Sequence, residues 1–124
     1  MAFESVGRRY AQAAFAIALE KGNVPVWRAG LADVATVLAG SAAAPVLADS
    51  RVPLERRLRV VERALDLDPL VLNLAKLLVT KGRSMAAPAI AAAFNRLADA
   101  HEGIAQAEIV SAVALSDAEV ARIE

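Results

Sequence analysis

His101 stands beside Glu102, and an imidazole next to a carboxylate is the pairing that general-base catalysis and metal ligation both use. Neither chemistry is completed. His101 is the single histidine and there is no cysteine, so a metal would lack further ligands at helical spacing, and no nucleophile stands near for a base to activate. The ordinary role of such a histidine is a cation near a helix C-terminus. Gly22, Gly30, Gly40, Gly82 and Gly103 are single and widely spaced, so no phosphate-cradling loop is expected. They punctuate helices, except Gly30, which suits a close helix contact. No cofactor, no metal and no enzymatic activity are expected of this chain.

Phosphate binding is the other chemistry to weigh. Arg51, Arg56, Arg57, Arg59 and Arg63 form a basic run, but Glu55 and Glu62 sit among them, and Glu55 to Arg59 has the i, i+4 spacing of a helical ion pair. A solvated helix face is the ordinary reading. Arg8 and Arg9 have only Tyr10 as an aromatic companion. Fourteen basic and fourteen acidic residues cancel over the chain, so no overall field draws it to nucleic acid or an anionic surface.

The elements that carry these residues read as helices. Of 124 residues, 57% are hydrophobic, mostly alanine and leucine with few aromatics, the composition of closely packed helices in one domain. Periodic segments run from about Ser5 to Lys21, ended by Gly22-Asn23, and from Val26 to Ala39, opened by Pro25 and ended by Gly40. A short helix over Ala43 to Ala48 and a fourth from Pro53 to Leu65 follow. The fifth has Asp68 to cap it, Pro69 at the first helical position and Gly82 to end it in the left-handed region. A sixth runs from Ser84 or Met85 to Ala100, with Pro88 in its first turn and His101-Glu102-Gly103 closing it. Residues 105 to 113 then alternate in period two, which predicts a strand, and Ser116-Asp117-Ala118-Glu119 is a capping box that starts a further helix. The expected fold is therefore all-α: a six-helix bundle over 1–103, followed over 104–124 by a single strand and a helix start, the stub of a C-terminal α/β region.

No signal peptide is recognisable at the N-terminus, and neither the stretch from Val34 to Ala48 nor that from Leu70 to Val79 reaches the roughly 20 apolar residues that span a bilayer. A cytoplasmic protein without direct membrane insertion is expected.

The fifth helix carries too much apolar surface. At 100° per residue its apolar side chains sweep an arc of about 220°, whereas a surface helix needs little more than roughly 100°. Val71, Ala75, Leu78 and Val79 have no polar member among them and are assigned to the core. Leu70, Leu74 and Leu77 run into Lys81 and are flanked by Asn73, so they are assigned to a partner. On the first helix Val6, Tyr10, Ala13 and Ile17 fall on one side, Phe15 and Leu19 nearly opposite, with Ala11, Ala14 and Ala18 between. Either the helix is covered all round, or one side faces the core and the other a partner; Tyr10, whose hydroxyl favours a wet edge, points to the second arrangement.

The run from Arg9 to Phe15, Trp27, Asn73, Lys81-Gly82-Arg83, Pro88 to Phe94 and Val110 to Ser116 resemble, in order along the whole chain, the delta subunit of F-type ATP synthase, relative of the mitochondrial oligomycin-sensitivity-conferring protein. That resemblance implies a six-helix N-terminal bundle gripping the N-terminal helix of an alpha subunit between its first and fifth helices. The partner-binding residues it implies are Val6, Tyr10, Ala13, Ala14, Ile17, Leu70, Asn73, Leu74, Leu77 and Lys81. It also implies a C-terminal region joined to the peripheral stalk b subunit, peripheral attachment at the cytoplasmic face of the cell membrane, and a stator role in ATP synthesis and hydrogen ion transport. The chain stops where that C-terminal region should develop, so stalk binding is expected to need residues that are missing here. The competing resemblance is to RNA-binding helical domains of the transcription antitermination type, which share an Arg-rich first helix. Gln12 stands where that family usually has another arginine, and the net charge is zero.

Overall fold

The computed structural model describes the backbone of residues 3–123 and the side-chain surroundings of residues 3–115. Among these, the helices are α1 (Glu4–Lys21), α2 (Val24–Gly40), α3 (Ala44–Ala48), α4 (Leu54–Ala64), α5 (Pro69–Thr80) and α6 (Ala87–Ile123), the last entered through a 3-10 turn at Ser84–Ala86.

The stop signals act through backbone geometry. Gly22 and Gly82 have φ of 66° and 69°, where a side chain is strained. Around Gly82 the Arg83 N–H donates to the Leu78 carbonyl at 2.7 Å and the Gly82 N–H to that of Val79 at 3.2 Å, the Schellman pattern. At the other end of α5, Asp68 accepts from the Leu70 N–H at 3.0 Å, so both ends are capped as their residues predict.

The core centres on α2 and the first half of α6. Trp27, Leu31, Val34 and Leu38 of α2 meet Ile90 and Phe94 of α6, all of them buried. Trp27 stacks on Phe94 at 6.5 Å between centroids, Phe94 meets the edge of Phe15 at 5.5 Å, and Phe15 meets His101 at 5.8 Å. This column of rings ties α2, α6 and α1 together.

α1 docks on α6 by its smallest residues. Gly7, Ala11, Ala14 and Ala18 are buried, and a Cβ on Gly7 would lie 3.0 Å from the Ala89 backbone. The buried face is therefore the alanine stripe that lies between the two larger stripes, an outcome of helix spacing: only side chains this small allow the axes so close. A second close approach holds α5 against α2, where a Cβ on Gly30 would meet Val71 Cγ1 at 2.8 Å.

Three expectations for the C-terminal part are corrected. The sixth helix does not end at His101-Glu102-Gly103, residues 105 to 113 are helical instead of a strand, and the backbone of 116–123 continues α6, so no new helix starts at Ser116. Gly103 lies outside the left-handed region, which removes the stop. Ala105, Gln106, Ala107 and Glu108 are strong helix formers, and a helix pairs its own backbone groups whereas a lone strand leaves them unpaired. His101 accordingly meets no helix end and packs on Phe15 instead.

Lys76 of α5 reaches Glu62 of α4 at 2.8 Å, and this contact holds the Glu62 carboxyl below the usual glutamate range. A depressed carboxylate stabilises the fold above its unfolded value and loses that contribution as pH falls through its folded value. Acid unfolding of the Glu62→Gln variant, followed by circular dichroism, should show a shallower loss of stability below the ordinary glutamate range than the unaltered protein. Gly30→Ala should cost about 1–3 kcal/mol in urea unfolding, through overpacking against Val71. Adding Val71→Ala should recover part of that cost, since the two side chains share one space.

Candidate functional site

Once the inner faces are packed, the apolar surface of α5 splits in two. Val71, Ala75, Leu78 and Val79 are fully buried, whereas Leu70 and Leu77 remain 39% and 41% exposed. Leu74 between them is half-buried against the core, and Asn73 and Lys81 are exposed on the same side. The row Leu70, Asn73, Leu74, Leu77, Lys81 follows the i, i+3, i+4, i+7, i+11 spacing of one helix face. Because the opposite face is locked into the core, this row is carried on a rigid support.

On α1, Val6 and Tyr10 are half-buried at the edge of the core, and Ala13 and Ile17 are exposed. Ala14, expected in the groove, is not available to a partner. It is 3% exposed within the α1–α6 contact, because its small side chain is what that contact requires. The remaining α1 residues form a ridge with one polar tip, the Tyr10 hydroxyl.

Besides its packing on α4, which includes the Lys76–Glu62 pair, two contacts place α5 relative to α2 and α1. Its first turn lies against α2 through Val71 and Gly30, and beyond its last turn Arg83 Nη1 donates to the Tyr10 hydroxyl at 3.1 Å. The same guanidinium lies 5.9 Å from the Tyr10 ring centroid, close enough for cation–π attraction. Arg9, Tyr10, Ala13 and Arg83 line a cleft of about 250 Å³ between the two elements. Arg9 and Arg83 are absent from the residues assigned to a partner by periodicity. A signal for Arg83 was present: the left-handed Gly82 dictates where the next residue points, and Tyr10 needed a polar companion.

Nothing in this arrangement performs bond chemistry. No group of three or more His, Cys, Asp or Glu side chains that could hold a metal occurs among the described residues, and none of their helices is long and apolar enough to cross a membrane. The basic run after Arg51 is dispersed. Arg51 pairs with Asp49 at 3.0 Å, holding that carboxyl below its usual range, and Arg57 donates to the Val52 carbonyl at 3.0 Å. What α1 and α5 offer is partly exposed apolar side chains, Ile17, Leu70 and Leu77, with a cleft lined by Arg9 and Arg83 beyond the end of α5.

Comparison with known proteins gives this chain a family. Residues 6–124 match the family model described as ATP synthase delta (OSCP) subunit. The chain is 36% identical over 119 residues to ATP synthase subunit delta of Moorella thermoacetica, covering 94% of this chain and 67% of that protein. To the protein of the same name from Bordetella petrii it is 35% identical over 119 residues, covering 94% and 66%. To that of Anaeromyxobacter dehalogenans it is 36% identical over 126 residues, covering 98% and 70%. No solved structure matches significantly. The chain thus spans about two thirds of the length of these curated relatives. With the match running from the first turn of α1 to Glu124, the chain belongs to the ATP synthase delta (OSCP) subunit family.

Proposed function

We propose that this chain acts as a non-catalytic stator component of F-type ATP synthase, its α1 and α5 faces holding the N-terminal helix of an alpha subunit. The observation that carries this reading is the row on α5 in which Leu70 and Leu77 stay exposed and Leu74 half-buried, on a helix whose other face is fully buried. An amphipathic helix laid along that row would bury several large side chains, each worth about 1.5–3 kcal/mol, before ordering and association costs are subtracted.

The physical demand on a stator suits such a contact. Rotor torque must not turn the catalytic head, so the holding contact has to be broad and slow to dissociate. Apolar burial provides this better than exposed ion pairs, which contribute little and are screened by salt. In this reading residues 1–103 form the head-binding unit, and 104–124 lead into the C-terminal region through which the peripheral stalk b subunit is held. Attachment to the membrane is then peripheral, through the complex. An RNA-binding role gains nothing from the family match or from the zero net charge.

Titration with a synthetic peptide of the alpha-subunit N-terminus tests the reading through backbone amide shifts. Trp27 is a poor reporter because it is 2% exposed in the core. Shifts are expected at Tyr10, Ala13, Ile17, Leu70, Leu74 and Leu77. Leu77→Asp should weaken binding at least about tenfold, because one large apolar contact is replaced by a charge. Since Leu77 lies outside the fully buried core, the same change should cost about 1 kcal/mol of stability and leave the fold intact. An intact fold that binds no peptide at about 500 μM, a weak affinity for such an interface, would remove the reading's main support.

A further inference from the structure

We infer that the cleft at the end of α5 is a carboxylate clamp, taking an Asp or Glu side chain of the partner helix and thereby setting that helix's register. The inference rests on the α1/α5 reading above and adds a pairing of opposite charges that fixes one position along a mainly apolar row.

The cleft presents guanidinium groups from two elements, Arg9 of α1 and Arg83 beyond α5, and no acidic residue lines it. The larger cleft between α1 and α6 differs, because there Glu4 sits with Arg8 and Arg96. Neither Arg9 nor Arg83 has an ion pair among the described residues. Arg83 is also held in place, by its 3.1 Å bond to the Tyr10 hydroxyl and by its position over the ring. An arginine so fixed has lost most of its freedom before a ligand arrives, so little is left to lose on binding.

The donors left over suit a carboxylate. One N–H of the Arg83 fork goes to Tyr10 Oη, leaving the others for a partner. The Tyr10 oxygen accepts from Arg83, so its own O–H is available to donate. Arg9 supplies the second cation. Two like charges lining one cleft repel each other, and a carboxylate between them replaces that repulsion with two charge-assisted hydrogen-bonding contacts. Lys81, exposed two residues before Arg83, adds positive potential at the same end. The occupant is assigned to the partner helix because Arg83 comes two residues after Lys81, the end of the row that starts at Leu70, so a helix lying along that row runs toward the cleft.

The test uses two peptides of the alpha-subunit N-terminus, one unaltered and one with every Asp and Glu replaced by Asn and Gln. Each is titrated calorimetrically into the chain and into its Arg83→Gln and Arg9→Gln variants. The acidic peptide should bind the unaltered protein about tenfold more tightly than the neutral one. That preference should shrink in both variants and as salt rises to physiological strength. Equal affinity for the two peptides overturns the clamp and leaves the apolar groove standing. Failure of both peptides to bind the folded protein overturns the groove and the clamp together. Low-millimolar inorganic phosphate is the remaining arm: it should weaken the acidic peptide and leave the neutral one unchanged, whereas phosphate that binds through Arg9 and Arg83 without weakening the acidic peptide assigns the cleft to a free anion and overturns the helix carboxylate.

Discussion

The molecule depends on how closely α1 can approach α6. A glycine and three alanines, Gly7, Ala11, Ala14 and Ala18, form the buried face of α1, and a Cβ at Gly7 would stand only 3.0 Å from Ala89, so that Ala89 would have to shift by a few tenths of an ångström. Helices this close make extensive backbone contact and need no large side chain between them. The larger residues of α1 are displaced to its flanks. On one flank Phe15 joins the ring column with Phe94 and His101; on the other Tyr10, Ala13 and Ile17 form a ridge at the surface. The outer surface of α1 is thus a consequence of what its inner surface had to be.

α5 reaches a two-sided state by a different route. It is capped at both ends, its core face is fully buried, and Gly30 lets it settle against α2 at Val71. An apolar face exposed on an otherwise mobile helix would be an aggregation hazard, because the helix could rotate to bury it elsewhere. With the opposite face locked, the row from Leu70 to Leu77 keeps a constant shape. A face held in one shape has little further ordering cost to meet on binding, which is the advantage of preorganisation. The Arg83–Tyr10 contact joins this helix's end to α1, so the two faces are positioned together.

Membership of the delta subunit family and this geometry bear on one another in a specific way. The family match covers residues 6–124, and the surface described here lies entirely within them. A structural subunit needs no catalytic group, and apolar side chains left at its surface carry no chemical motif. That is why composition and chemistry-bearing motifs say so little about this chain, and why helical periodicity says more.

Local signals in the sequence determined the elements through α5. Asp68, Pro69 and Gly82 act within a few residues of themselves, so the ends of that helix follow from short-range hydrogen bonding and one left-handed residue. The division of its apolar arc was legible for the same reason, since angular position needs only the helical repeat. Tertiary structure decided three other matters. It chose the alanine stripe as the inner face of α1, because axis separation depends on the partner helix and not on hydrophobicity alone. It carried α6 past Gly103, because period-two alternation has meaning only beside another strand and none is present among the described residues. And it brought Arg83 to Tyr10, 73 positions away, since a contact at that separation exists only after the intervening helices have packed.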